Sequence, residues 1–185
     1  MNIILLVILG LGLCATLWIL FTYNHLIKLQ SMVQEALSGI DVQLKRRFDL
    51  IPNLVATVKG YAQHEKSVLE QVTALRTQSI HATTVAEKAQ ADGNLTQALK
   101  TLFAVAENYP QLKANENFLA LQKDLASIED ELQLSRRYYN GTVRNYTIGL
   151  RKFPSNLVAK MGSFESYPYF TIDNEKERAN PQVNF

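Results

Sequence analysis

The sequence predicts an all-α protein in which an N-terminal transmembrane helix continues into an antiparallel helical bundle of about four long helices. Three observations support this fold class. Residues 3–22 are almost entirely apolar and contain no Asp, Glu, Lys or Arg. Beyond them, apolar residues recur every three or four positions, which is the period of an α-helix. The final stretch is aromatic, β-branched and interrupted by proline, so residues 163–185 predict a short extended or hairpin tail.

The apolar run at residues 3–22 has the length of a membrane-spanning helix. Twenty helical residues cover about 30 Å, the thickness of a bilayer's hydrocarbon core. Trp18, Phe21 and Tyr23 lie at its C-terminal end, where aromatic rings favour the headgroup boundary. A cleaved signal peptide is disfavoured, because its apolar core spans only about 7–15 residues and follows side-chain cations. The prediction is an uncleaved anchor over residues 1–23.

The first helix is expected to leave the membrane without a break and to end before Asp49. Asp49 can cap a second helix, and Pro52 fits the first turn of that helix, where a missing N–H costs nothing. No helix-breaking residue separates the anchor from the apolar stripe that follows it. The stripe consists of Leu26, Leu29, Val33, Leu37, Ile40 and Leu44.

Later breaks are predicted from turn residues. The second helix is expected to end at Asp92-Gly93-Asn94, and a third, over residues 95–108, at Tyr109-Pro110. Asn115 is predicted to cap a long fourth helix with a heptad-like apolar seam. A short helix within residues 153–162, closed by Gly162, completes a bundle predicted over residues 24–162. The seam of the fourth helix is Phe118, Leu121, Leu125, Ile128, Leu132, Tyr139, Val143, Tyr146 and Leu150.

Composition excludes several classes of site. The chain has 19 Lys or Arg and 17 Asp or Glu, a formal charge of +2, which is too balanced for a dedicated nucleic-acid binder. Cys14 is the only cysteine and lies in the apolar run, so no intrachain disulfide or cysteine metal site can form. His64-Glu65 resembles the start of a helical zinc motif, but position 68 is Val rather than a second His. The sequence predicts no metal and no cofactor.

A basic triplet, Lys45, Arg46 and Arg47, lies in "DVQLKRRFDLIPNL" (residues 41–54). The helical register predicts that Lys45 and Arg46 face outward, while Arg47 borders the apolar stripe. Asp41 and Asp49 flank Lys45 at a spacing of four residues and partly neutralise the triplet.

Distance argues against a membrane role for this triplet. On an upright continuous helix, Arg46 lies about 35 Å beyond Tyr23, whereas charges act over about 8 Å at physiological salt. A structural corner of the bundle is favoured, a partner-binding surface is the alternative, and nucleic acid or lipid is disfavoured.

A second candidate surface is "RRYYN", with Arg136, Arg137 and Tyr138. The seam turns Tyr139 inward, and neither arginine has an acidic residue three or four positions away. The arginines are expected to form an ion pair or tyrosine stack with another helix; a subunit contact and an anionic ligand are the alternatives. Arg137 is expected to matter more for stability than Lys45. The acidic run Glu129, Asp130 and Glu131 is interpreted as a solvated face.

Five segments of the chain carry a family resemblance. They are "IDVQLKRRFDLIPNLVATVKGYAQHE" (40–65), "AENYPQLKANENFLALQKDLASIEDE" (106–131), "RRYYN" (136–140), "FPSNLVA" (153–159) and the final "PQVNF". Together they resemble the LemA family, although Gly141 and Thr147 depart from the commoner pattern. The resemblance implies a bacterial, membrane-anchored, antiparallel helical bundle in the cytoplasmic membrane, and it implies no established enzymatic chemistry.

The aromatic tail is the predicted site of self-assembly. An isolated two-stranded hairpin is only marginally stable in water, and an open strand edge favours pairing with another copy. The sequence therefore predicts a homo-oligomer in which the tail contacts a neighbouring subunit; a tail folded on its own bundle is the alternative. The aromatic residues concerned are Phe164, Tyr167, Tyr169, Phe170 and Phe185.

The functional hypothesis is a non-enzymatic, membrane-anchored scaffold that self-associates or holds partner proteins near the bilayer. One alternative is an adaptor for a membrane protease or an envelope-stress system. Another is an enzyme with a cleft around Glu107, Tyr109, Glu116 and Arg136. Lys28 is the one Lys or Arg within about 15–20 residues of the span, and this favours a cytoplasmic C-terminal domain.

Overall fold

The structure, a computed structural model, describes residues 2–171. Within that range it contains six α-helices and no β-strand, which confirms the all-α prediction. The final residues 172–185, including Phe185 and most of the predicted hairpin, lie outside the described range. The helices are α1 (Ile3–Lys59), α2 (Lys66–His81), α3 (Val85–Ala106), α4 (Pro110–Lys113), α5 (Glu116–Arg151) and α6 (Ser155–Met161).

The chain divides into two compact units. The first unit comprises Met1–Ile40 and Ser135–Tyr169, and the second is built on Asp41–Leu134. Helices α1 and α5 therefore contribute residues to both.

Helix α1 continues past Asp49, so the predicted helix boundary there is wrong. Pro52 lies inside α1 and has no N–H to donate to the carbonyl of Phe48, four residues earlier. Arg76 of α2 donates from Nε to this Phe48 oxygen over 2.7 Å. Asp49 does not cap a helix but pairs with Lys45 at 2.8 Å. A long-range donor thus replaces the hydrogen bond that proline removes, and α1 extends to Lys59.

The real breaks lie on either side of α2. Helix α1 ends just before Gly60, a residue of low helix propensity. Helix α3 begins with a capping box: the Thr84 hydroxyl accepts from Glu87 N, and the Glu87 carboxylate accepts from Thr84 N at 3.0 Å. This Thr-x-x-Glu signal, in "TTVAEK", is the local feature that could have located the boundary.

The predicted break at Asp92-Gly93-Asn94 is also wrong. These three residues lie inside α3, which runs from Val85 to Ala106. Asp92 is only 1% exposed and forms an ion pair with Arg47 of α1. A turn-forming triplet therefore stays helical because its aspartate faces a buried cation rather than its own backbone.

The fourth predicted helix is confirmed as α5. Asn115 caps it by accepting from Phe118 N at 3.0 Å, and Asn115 Nδ2 also donates to the Tyr61 hydroxyl at 3.0 Å. Most of the predicted seam is buried, and Leu132, Tyr139, Val143 and Tyr146 are each 0% exposed. The short helix α6 ends at Gly162 as expected.

The core of the first unit forms where α6 packs on α1. Leu26 is fully buried with Val158 and Ala159, and Leu150 and Phe164 pack against them. A Cβ at Gly149 would lie 3.1 Å from Leu29, so the absence of a side chain allows α5 to approach α1 closely.

The first prediction concerns Arg76. Arg76→Ala should lower the free energy of unfolding by about 1.5–3 kcal/mol, because the Phe48 carbonyl loses a charged donor. In a Pro52→Ala background, the restored N–H can serve that carbonyl, so Arg76→Ala should cost much less. Urea unfolding of the wild type, the two single variants and the double variant in mild detergent measures the energetic coupling between Arg76 and Pro52.

Arg46→Ala is the control for this cycle, because Arg46 is exposed and donates to Gln43 of its own helix. Its change in stability should stay within about 0.5 kcal/mol. Equal costs of Arg76→Ala in both backgrounds would show that Arg76 does not serve the carbonyl left by Pro52.

The second prediction concerns the α3 cap. Hydrogen bonds from Thr84 and Thr83 lower the pKa of Glu87 from 4.5 to about 2. A depressed folded pKa adds stability above the unfolded pKa, and this stability is lost as the pH falls through the folded value. The difference in unfolding free energy between wild type and Glu87→Gln should therefore be constant above pH 4.5 and shrink towards pH 2. A pH-independent difference would contradict the charged cap.

Candidate functional site

Arg47 of the basic triplet lies in the protein interior, at the meeting point of three helices. Its Nη1 is 2.7 Å from Asp92 Oδ1 of α3 and 2.9 Å from Glu129 Oε2 of α5. Arg47 is 4% exposed, and burial lowers its pKa while the charge of Glu129 opposes that shift. The expectation that Arg47 borders the apolar stripe is confirmed, and Arg47 is not available to a partner.

Glu129 is the residue whose environment differs most from the sequence interpretation. Its side chain is 25% exposed and ion-paired with Arg47, so Glu129 does not belong to a solvated acidic face. Asp130 and Glu131 are exposed, as expected for a solvated face.

Lys45 and Arg46 are exposed, as the helical register predicts. Lys45 pairs with Asp49 in its own helix at 2.8 Å, and Arg46 donates to Gln43 at 3.1 Å. Asp41, expected to neutralise the triplet, instead pairs with Lys88 of α3 at 2.6 Å. Of the triplet, only Lys45 and Arg46 can therefore form a surface.

The residues of the second candidate surface, "RRYYN", differ in how far they are exposed. Tyr139 is fully buried and donates its hydroxyl to the Pro168 carbonyl at 2.8 Å, and burial, with the nearby Tyr167, raises its pKa to about 12. Arg136 is half-buried, whereas Arg137 is exposed and Tyr138 is 53% exposed. Because Arg137 is exposed, its ion pair or tyrosine stack with another helix stays a prediction.

The aromatic residues after α6 have partners in the same chain. The Phe164 ring lies 5.4 Å from Tyr23, and the Tyr167 ring lies 5.7 Å from Tyr146. Gln30 and Gln34 of α1 donate to the Tyr167 hydroxyl over 3.4 and 3.3 Å.

Phe170 is buried at 4% exposure, and Tyr169 is 45% exposed. Phe164 and Tyr167 thus pack on their own chain, which is the alternative considered above. Tyr169 remains a candidate for a subunit contact, and Phe185 lies outside the described residues.

The residues considered for an enzymatic cleft have different surroundings. Tyr109 donates its hydroxyl to Glu65 at 3.0 Å, and this hydrogen bond raises its pKa. Glu107 and Glu116 are exposed, and Arg136 belongs to the first unit rather than the second. Among residues 2–171, no group of three or more His, Cys, Asp or Glu side chains could hold a metal ion.

Comparison with known proteins identifies the family. The model of the LemA family matches residues 36–185, which is most of the chain. The chain belongs to the LemA family.

Curated relatives of this LemA-family chain include two proteins named Magnetosome protein MamQ (1 and 2) from Paramagnetospirillum magneticum. Each is 25% identical over 178 residues, an alignment that covers 82% of this chain and 65% of the relative. Protein LemA of Metamycoplasma hominis is 29% identical over 142 residues, covering 74% of this chain and 63% of the relative. The LemA-family chain thus spans just under two thirds of the length of these relatives, whose names refer to no enzymatic reaction.

Three polar side chains of this LemA-family chain form long-range hydrogen bonds that no sequence motif indicates. Arg76, Glu65 and Gln30 each bond to a residue at least 28 positions away. Helical periodicity marks the buried face of each helix, but it does not show which polar side chain meets which helix. These contacts follow from tertiary packing.

The third prediction concerns the buried ion cluster. Arg47→Met should lower the free energy of unfolding by about 3–5 kcal/mol, because the carboxylates of Asp92 and Glu129 lose the cation they share. Arg47→Met combined with Asp92→Leu should recover much of that loss, since the more deeply buried carboxylate is then removed with the cation, and Glu129, at 25% exposure, is partly solvated. Urea unfolding in mild detergent measures the free energy of unfolding of the wild type, Arg47→Met and the double variant.

Lys45→Met is the matched control, because it removes an exposed ion pair in the same segment of α1 and should cost only about 0–1 kcal/mol. If Arg47→Met were as mild as Lys45→Met, Arg47 would be solvated rather than buried.

Proposed function

We propose that this LemA-family chain is a non-enzymatic scaffold, anchored by α1 in the bacterial cytoplasmic membrane, that self-assembles or holds partner proteins at the bilayer. Its domains are the anchor at residues 1–23, the helical domain at 24–162 and the tail at 163–185. The helical domain lies on the cytoplasmic side. Among the candidate interaction residues that the structure describes, the exposed ones are Lys45, Arg46, Arg137, Tyr138 and Tyr169, and these are proposed to contact other proteins.

The observation that carries this proposal is the change of environment along one unbroken helix. In α1, Ile3, Leu9 and Leu13 are 79%, 61% and 63% exposed, whereas Leu26 and Val33 are fully buried. The early part of α1 contains a window of mean hydropathy 2.8 with none of its residues buried, long and apolar enough to cross a membrane. Such a large exposed apolar surface is expected to contact lipid or another protein.

The fourth prediction concerns this anchor. Residues 1–22 can be deleted without removing Tyr23 or Leu26, which pack against the rest of the first unit. The shortened chain should therefore be soluble and mainly helical by circular dichroism, and it should leave the membrane fraction. A shortened chain that aggregates or is unfolded would show that α1 needs the membrane to hold the domain together.

The scaffold role can be tested by co-expressing a tagged and an untagged copy and purifying the tagged copy in mild detergent. Mass spectrometry then shows whether the untagged copy, or a distinct protein at constant stoichiometry, is retained. A chain in which an unrelated transmembrane helix replaces residues 1–22 is the control, because retention by that chain assigns the contact to the helical domain. A monomer with no stoichiometric companion would contradict the proposal.

A further inference from the structure

The corner between α5 and α6, residues 151–162, lies beside the C-terminal end of the apolar run at residues 3–22. Leu26 packs on Val158 and Ala159 of α6, and a Cβ at Gly162 would lie 3.1 Å from the Tyr23 ring. A groove of about 640 Å³ lies between the end of the apolar run and the corner, and its lining includes Trp18 and Phe21 of the anchor and Lys152 and Phe153 of the corner. Because Trp18 to Tyr23 are the residues expected at the headgroup boundary, the fold brings the corner to that boundary.

The corner exposes three large apolar side chains. Phe153, Leu157 and Met161 are 74%, 53% and 77% exposed. They are spaced four residues apart, and Leu157 and Met161 share a face of α6, while Val158 and Ala159 form its buried face. Short amphipathic segments with this pattern insert their apolar face into the boundary between headgroups and acyl chains.

The corner is also cationic. Arg151, Lys152 and Lys160 alternate with the exposed apolar residues, and no Asp or Glu occurs between Glu131 and Glu165. The first unit as a whole carries seven Lys or Arg and two Glu, a formal charge of +5, although the chain totals only +2. The positive charge is therefore concentrated in the unit that contains the apolar run.

We propose that the α5–α6 corner, residues 151–162, is a second membrane contact that binds the surface of a bilayer containing anionic lipid. Phe153, Leu157 and Met161 enter the interface, while Arg151, Lys152 and Lys160 pair with lipid phosphates. The contact rests on the proposed function, because it requires α1 to be inserted up to Trp18–Tyr23. Cations near an anionic surface each add to binding, and the apolar stripe adds the non-electrostatic part.

The test uses the full chain in vesicles, with a fluorophore at a single cysteine. The reporter is Cys14→Ser with Leu157→Cys, and the control is Cys14→Ser with Leu134→Cys, because Leu134 is similarly exposed at 56%. The vesicles contain phosphatidylcholine alone or phosphatidylcholine and phosphatidylglycerol in equal parts, with a nitroxide lipid that quenches near the headgroups. In the mixed vesicles, the label at 157 should lose about half of its fluorescence or more, since the apolar face lies about 5–10 Å into the boundary. The label at 134 should lose almost none.

Charge substitution tests the role of the cations. Arg151→Gln, Lys152→Gln and Lys160→Gln together should lower the ratio of docked to undocked corner by about a hundredfold and reduce quenching to the level in phosphatidylcholine alone. The charge-matched control replaces three exposed lysines of the second unit, Lys100, Lys113 and Lys123, by Gln, and quenching should persist.

A label on the native Cys14, with a nitroxide lipid that quenches near the bilayer centre, separates two kinds of failure. An unquenched Cys14 label means that the anchor is not inserted, and the proposed function fails. A quenched Cys14 label with an unquenched label at 157 overturns the second membrane contact alone. In phosphatidylcholine vesicles, a label at 157 that is shielded from aqueous iodide but not quenched by the nitroxide lipid also overturns it, because a second copy or another protein then covers the corner.

Discussion

The burial of one guanidinium group constrains most of the second unit. Arg47 cannot be placed in an apolar interior without partners, because an unpaired buried charge costs several kcal/mol. Its two carboxylates come from α3 and α5, so three helices must keep a fixed axial register for the cluster to form. The helical path of α3 through Asp92 and Gly93 follows from the same requirement, since a break there would move the Asp92 carboxylate away from Arg47.

A second polar requirement lies in the next residue of α1. The Phe48 carbonyl lacks an intrahelical donor because of Pro52, and Arg76 supplies one from α2. Consecutive residues of one helical turn thus connect α1 to α2, α3 and α5. Apolar side chains supply most of the favourable free energy of such a core, but they tolerate small shifts between helices. The hydrogen-bonded charges at Arg47 and Phe48 have a narrower geometry, and we infer that they define the helix register.

Local sequence signals predicted those parts of the fold that depend on local contacts. The apolar run, the α5 seam and the Asn115 cap are confirmed, because periodicity and capping act within a few residues. The same rules placed breaks at Asp49 and at Asp92-Gly93-Asn94, where tertiary contacts override the turn preference. In the candidate site, the register placed Arg47 at the border of the apolar stripe, but it could not identify its partners Asp92 and Glu129, which lie 45 and 82 residues away.

The cations near the apolar run likewise cannot be identified by counting charges within a short stretch of sequence. Counting cations close to the span along the chain finds Lys28 alone, because Arg151, Lys152 and Lys160 follow more than a hundred residues later. In the folded first unit, α6 packs on Leu26, so Arg151, Lys152 and Lys160 join Lys28 near the end of the apolar run. The triplet at Lys45 to Arg47 is the denser cluster in sequence, yet Arg47 is neutralised in the core and Lys45 is paired with Asp49. Proximity created by the fold, rather than by sequence, therefore determines which cations can act at a bilayer.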